Sequence, residues 1–393
     1  MASLPKAEWT QREDLARLVA ALGRDNLRWV GGAVRDTLLG KPVKDIDAAT
    51  SLTPDDVIAR LEGAGVRSVP TGIDHGTVTA VLPHGPVEIT TLRKDVSTDG
   101  RRATVAFSDD WREDAARRDF TINALYADPV SLELFDYFDG LADLAERRVR
   151  FVGDPRRRIR EDHLRVLRYY RFQARFGDAL DEEAERACAE LAPMLKGLSR
   201  ERVGWELQNL LSVGDPTSTV QRMYQQRVLT AVLPEAGDHE IVTFEKLVEA
   251  ERAAGLPPSA IRRLAALLPA EPKAAEQVAA RLRLSTAQKK RLASAADRGL
   301  LPGDPHALAY RLGREEAIDR LLLAGEDPAP VVAWAIPVLP LKGGEIVARG
   351  VAAGPEVART LRAVEARWVA EGFPGRARVE ALLAEEISRK PAS

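Results

Sequence analysis

The sequence predicts an α+β fold, a head of strands and helices followed by helices alone. Three observations carry this. Short β-branched runs alternate with helical ones over the first ~140 residues, a Pro/Gly turn joins two of those runs, and no β-rich run follows. LRWV (27–30) reads as a strand that leads into the helix AVRDTLLG, and KDIDAAT as a strand before the helix TPDDVIARLEGAG. VRSVPTG is a further short strand, and GTVTAVL-PHGP-VEITTL reads as a hairpin, two β-branched stretches around a turn. Residues 94–114, rich in charge and small side chains, read as a long loop. From Arg156 onward the apolar period is helical, with Gly and Pro at the breaks. The expected organisation is a head over 1–140, a helical neck over 141–215, a helical body over 216–328 and a helical tail over 329–393.

Composition narrows the class. The chain has 393 residues, 45% apolar and 30% charged, a mix that fits several folded domains and not a disordered protein. A single cysteine, Cys188, excludes an intramolecular disulfide and a cysteine zinc site. No N-terminal apolar segment and no membrane-length apolar run occurs, so a cytoplasmic location without membrane attachment is expected, and no protein partner is implied. The formal net charge is only −2, yet Arg147 to Arg175 hold eleven arginines against Asp154, Glu161 and Asp162, a local balance of 11 − 3 = +8. Such a segment predicts a polyanion site for phosphate or RNA.

The candidate chemistry begins at VKDIDAAT. On an extended strand Asp45 and Asp47 project to one side, roughly 6–7 Å apart from two steps of ~3.3 Å, and repel each other unless a cation lies between them. Mg²⁺ suits two carboxylates together with substrate phosphates. The competing reading is a polar strand end or a helix-capping Asp. Glu88 shares a strand face with Thr90, opposite Val87 and Ile89, and is the candidate third acid, or else a solvated side chain. Gly31 and Gly32 close a strand and open a helix, where backbone N–H groups can approach an anion, and Arg35 follows on the first turn. In RRDFTINALY, Asp119 and Asn123 stand at i and i+4 on an expected helix beside Arg118, a set of donors and acceptors able to face one ligand; an N-cap is the alternative. In EDHLR, Asp162 and Arg165 are expected three apart on one helix face, with a Glu161–Arg165 ion pair as the rival account. Arg202 and Glu206 are expected to pair along a later helix.

Taken in order, WVGGAVRDTLLG, KDIDAAT, VEITTLR, RRDFTINALY and REDHLRVLR resemble the class II tRNA nucleotidyltransferases. These CCA-adding enzymes share a family with bacterial poly(A) polymerases inside the DNA polymerase beta superfamily. The resemblance covers about residues 24 to 215 strongly and the rest loosely. It implies a polymerase beta-like catalytic head and a cytoplasmic enzyme that adds C, C and A to a tRNA 3′ end from CTP and ATP with Mg²⁺. It assigns Asp45 and Asp47 to metal, Glu88 to the catalytic carboxylates, and Gly31, Gly32 and Arg35 to the triphosphate. Arg118, Asp119 and Asn123 fall to the ribose, and Asp162 and Arg165 to an amino-acid template for the base. A carboxylate accepts from the exocyclic amine and a guanidinium donates to the ring nitrogen, a pattern that cytosine and adenine meet and uracil and guanine do not. Lys289, Lys290, Arg291 and the Gly pairs of the tail are expected to touch tRNA phosphates. The 94–114 segment, with Arg101, Arg102, Asp109 and Asp110, resembles the flexible loop of full CCA-adding enzymes, and the lack of a His-Asp dipeptide argues against an attached phosphohydrolase domain. Poly(A) polymerase, C-addition alone and a non-catalytic RNA-binding protein remain as alternatives.

Overall fold

The structure, a computed structural model, describes residues 2–73, 76–99, 102–299 and 303–389. The chain forms two compact units, Met1–Pro234 and Glu235–Ser393.

The first unit opens with helix α1 (Glu13–Leu22) and then builds a seven-stranded sheet. Its strands are β1 (Leu27–Val30), β2 (Ile46–Thr50), β3 (Ser68–Gly72), β4 (Thr77–Leu82), β5 (Gly85–Thr91), β8 (Leu125–Ala127) and β9 (Leu134–Asp136), in the order β3-β4-β5-β2-β1-β8-β9. The predicted hairpin is β4–β5. One pairing in this sheet, β2 with β5, is parallel, and it sets Asp47 opposite Glu88. Helices α2 (Gly32–Leu38) and α3 (Pro54–Gly63) follow β1 and β2. Thr53 caps α3 by accepting from the Asp56 N–H at 3.3 Å, with Pro54 at its first turn. The head core gathers Val30, Ala49, Leu92, Ala124 and Tyr126 beneath Trp111 and Phe135.

Residues 94–114 are not a loop. They contain β6 (Arg93–Asp99) and β7 (Arg102–Phe107), an antiparallel pair outside the main sheet, and most of helix α4 (Trp111–Ala116). Asp110 caps α4, accepting from the Arg112 N–H at 2.7 Å. Arg101, expected in that loop, lies outside the described residues.

Beyond the sheet come α5 (Gly140–Ala145), α6 (Pro155–Glu161), α7 (Arg165–Phe176), α8 (Glu182–Leu191), α9 (Arg200–Leu211), α10 (Thr217–Gln225) and α11 (Val228–Val232). Helix α7 buries Val166, Leu167, Tyr169, Tyr170, Phe172 and Phe176. Its arginines at 165, 168, 171 and 175 recur at steps of three and four and so follow the opposite face.

The second unit is helical throughout its described residues. One core cluster centres on Val364, Trp368, Val379 and Leu382. Elsewhere in the unit, Glu251 accepts from Arg262 at 2.6 Å and Arg263 at 2.7 Å, and Asp319 accepts from Arg291 at 2.6 Å. Arg291, expected to meet tRNA phosphates, is tied into this network through Asp319. No helix of the described residues is long and apolar enough to cross a membrane.

Candidate active site

A cleft of about 500 Å³ in the first unit is lined by Gly31, Gly32, Arg35, Asp47, Arg118, Asp119, Asn123, Asp162 and Arg165, nine of the eleven residues singled out from sequence. Asp45 and Glu88 do not line it; Asp45 lies two residues before Asp47 in the chain and Glu88 opposite it across the register. A larger hollow, about 800 Å³ between the N-terminal segment and the Gly40–Val43 turn, holds none of the candidates.

Local geometry explains each placement. Gly31 ends β1 at φ +70°, a conformation that favours glycine, and a Cβ there would sit 3.6 Å from Arg118 Nη1. The turn starts α2, and both Gly31 and Gly32 line the cleft. Arg35 is 5% exposed. Its guanidinium donates to Asp36 at 2.7 Å and to Asn123 Oδ1, so it holds the cleft wall and is not a free cation.

Asp45 falls one residue before β2 and is exposed, whereas Asp47 is half-buried within the strand. Burial raises the Asp47 carboxyl above its ordinary range; Glu88 and Asp45 add to this, and Arg118 opposes it. Glu88 is exposed, one strand spacing (~4.8 Å) away across the register. Among the described residues no three His, Cys, Asp or Glu side chains are drawn together as a ready metal site.

Asp119 and Asn123 do not share an α-helix. A single 3₁₀ turn, Thr121–Asn123, lies between them and brings the Asn123 amide to Asp119 Oδ1 at 3.0 Å. Burial pushes the Asp119 carboxyl up, but Arg168, Asn123 and the Phe120 N–H together hold it down at about 2. Arg118 is fixed by Asp114 at 3.0 Å and by the Tyr126 hydroxyl at 3.1 Å.

Asp162 also leaves the predicted helix. With φ −150° and ψ 105° it breaks the chain between α6 and α7. Its Oδ1 accepts the Leu164 N–H at 3.1 Å and its Oδ2 accepts Arg202 Nη2 at 2.7 Å, so both oxygens are oriented. Arg165 donates to Glu161 at 2.6 Å and to the Arg158 carbonyl at 2.6 Å. The Glu161–Arg165 pair is thus present, but Asp162 has a different partner. The expected Arg202–Glu206 pair does not form: Glu206, 1% exposed, accepts from Arg171 at 2.6 Å and lies 3.6 Å from Arg168.

Four further residues, Leu164, Arg168, Phe172 and Arg202, line the cleft without having been assigned to it from sequence. The arginine spacing along α7 was the available signal for Arg168; Arg202 comes from 40 residues beyond Asp162. The predicted polyanion stripe is largely answered from within. Of the eleven arginines from 147 to 175, all but Arg160 are shown within 4.0 Å of a carboxylate, on Asp36, Asp119, Asp143, Asp178, Glu183, Glu190 and Glu206 among others.

Comparison with known proteins now defines the class. The family model "Poly A polymerase head domain" matches residues 27–150, and "Probable RNA and SrmB- binding site of polymerase A" matches residues 179–239. The chain is 35% identical over 384 residues to the mouse (Mus musculus) CCA tRNA nucleotidyltransferase 1, mitochondrial, covering 92% of this chain and 87% of that protein. It is 33% identical over 382 residues to the CCA-adding enzyme of Lacticaseibacillus paracasei, covering 92% of each. The fold matches that of the Bacillus stearothermophilus CCA-adding enzyme in complex with CTP, with a TM-score of 0.71 at 24% identity over 96% of this chain and 98% of that one. It also matches the Thermotoga maritima CCA-adding enzyme complexed with tRNA, with a TM-score of 0.70 at 21% identity over 99% of each. The chain belongs to the class II tRNA nucleotidyltransferases, the CCA-adding enzymes.

Proposed function

We infer that the chain adds C, C and A to the 3′ end of tRNA, taking CTP and ATP and releasing pyrophosphate. One observation carries the reading: residues from separated segments, 31–35, 47, 118–123 and 162–165, converge on one cleft in a chain that aligns along most of its length with CCA-adding enzymes. A poly(A) polymerase or a bare RNA-binding protein explains the head but not the names of the full-length relatives.

The carboxylates suit a hard divalent cation. Asp47 is raised by burial and by two acidic neighbours, a deficit of positive charge that an oxygen-ligated Mg²⁺ would offset. Asp45 and Asp47 would hold it, with Glu88 as the third acid of the catalytic set. When bound, the ion supplies charge neutralisation at the reacting phosphate. The chain's own residues do the rest by positioning. N–H groups at Gly31 and Gly32 face the triphosphate with Arg35 behind them, and Arg118, Asp119 and Asn123 address the ribose. Asp162 accepts from the base amine while Arg165 donates to the ring nitrogen. The 3′ hydroxyl attacks the α-phosphorus as its proton passes to solvent water, and the bond to pyrophosphate breaks.

The neck, body and tail are assigned as 141–215, 216–328 and 329–393 after a head of 1–140, with the tail on tRNA. The cytosol is the proposed location; the one cysteine, Cys188, is buried and not in a disulfide. The test is direct. Wild type extends a tRNA that lacks its terminal CCA, and Asp47→Ala abolishes extension while tRNA affinity stays unchanged; near-wild-type turnover in Asp47→Ala would remove the metal assignment.

A further inference from the structure

Helix α9 turns Val203, Leu207, Leu210 and Leu211 into the core, and Trp205 lies off that stripe. Of the chain's six tryptophans it is the one left exposed, at 56%. It borders a groove of about 360 Å³, with Ser199, Glu201 and Arg202 from the same stretch and Leu164 and Arg168 from the start of α7. Leu164, Arg168 and Arg202 also line the nucleotide cleft, so the two spaces adjoin through shared walls. Arg171 stands 5.7 Å from the Trp205 ring centre and is itself anchored by buried Glu206 at 2.6 Å. The indole therefore rests beside a cation that is fixed in place.

An isolated indole beside Arg168, Arg171 and Arg202, with Glu201 and the buried Glu206 also on the groove wall, is too small an apolar patch for a protein interface, which needs on the order of 1,000 Å². It has the make-up of a single-strand platform: every base has a π-face, and arginines add cation–π and phosphate contacts. The cleft itself accounts for the incoming nucleotide, whose base edge meets Asp162 and Arg165. The second substrate must bring its 3′ hydroxyl to the same cleft, and its last bases need a surface next to that pocket. We propose that the Trp205 groove holds the 3′-terminal single strand of the RNA primer, with one base stacked on the indole. This rests on the nucleotide-addition reading given above.

The test uses the full chain and a short acceptor-stem hairpin ending in a single strand with 2-aminopurine at its 3′ terminus, titrated without nucleotides and followed by fluorescence. Trp205→Ala should weaken primer binding by about 5- to 150-fold, the range for one lost stacked base. Trp205→Phe should restore most of it, and the KM for CTP at saturating primer should not move in either variant. Primer binding by Trp205→Ala equal to wild type would overturn the proposal. So would a raised KM for CTP with unchanged primer affinity, which would give the indole to the incoming base. Thermal melts of both variants guard against misfolding, which is not expected at so exposed a position. The two readings fail separately: a wild type that binds the hairpin but adds no C refutes the function, whereas one that adds C and binds equally well without the indole refutes only the groove.

Discussion

Asp162→Ala isolates base reading from folding. The lost contacts are an ion pair to Arg202 with both side chains partly exposed, at 26% and 29%, and one hydrogen bond from the Leu164 N–H. The first is worth about 0.2–1 kcal/mol and the second about 1 kcal/mol, well inside the ~5–15 kcal/mol that keeps a domain folded. The variant should therefore fold. What it loses is the acceptor for the amine of C or A and the repulsion against the carbonyl of U or G. Loss of one base-edge contact of this kind costs about 1–3 kcal/mol of discrimination, or about 5- to 150-fold in the CTP-to-UTP ratio at 1.4 kcal/mol per decade. Arg202→Ala, which leaves Asp162 Oδ2 without its 2.7 Å donor, should shift the ratio in the same direction by less. The assay is kcat/KM for all four nucleotides on one tRNA. A uniform loss of activity with the C-over-U preference intact would refute the reasoning and return EDHLR to an ordinary inter-helix turn.

Three other outcomes follow from the same geometry. Glu206→Gln removes the buried carboxylate between Arg168 and Arg171 and should cost about 3 kcal/mol, the low end for breaking a buried pair because the arginines are partly exposed; an unchanged Tm would contradict the bridging role. Gly140→Ala sets a Cβ against the Thr121 carbonyl, 2.9 Å from its carbon, and should cost about 1–3 kcal/mol and raise the KM for nucleotide by displacing the turn that carries Asn123; wild-type KM in the variant would show that the turn can yield. Asp47 is an acid whose folded pKa is raised, so its contribution to stability is fully present below the ordinary carboxylate pKa and lost as pH rises through the folded value. Asp47→Asn should consequently melt at a higher temperature than wild type at neutral pH in metal-free buffer, and a lower Tm there would reverse the sign of the argument.

How much of this was legible in the sequence depends on how local each signal was. The glycine turn at 31–32, the strand that carries Asp47 and the hairpin ending at Thr91 rest on side-chain alternation and turn chemistry within a few residues, and they stand as read, except that the strand begins at Ile46 and leaves Asp45 one residue outside it. The loop assigned to 94–114 failed because its polar composition hid two strands, although Asp99-Gly100 is a hairpin signal in its own right. The break at Asp162 has no Pro or Gly to announce it, so a continuous helix was expected. The ion pairing of the basic stretch 147–175 was not legible for a different reason. Counting charges within a window cannot see Asp36, Asp119 or Glu206, which the fold brings from elsewhere to neutralise it. The same blindness hid the ties from Arg202 to Asp162 and from Arg291 to Asp319. Residues whose role depends on a near neighbour were readable; those defined by a distant partner were not.

The most direct measurement of the central claim is the sequence of the product ends. The protein, Mg²⁺ and a tRNA transcript ending before its CCA are incubated with each of the four nucleotides alone and with CTP and ATP together, and the 3′ ends are sequenced. The account predicts C-C with CTP alone and C-C-A with both, with no incorporation from UTP or GTP. Long runs of A, or the same ends from all four nucleotides, would contradict it.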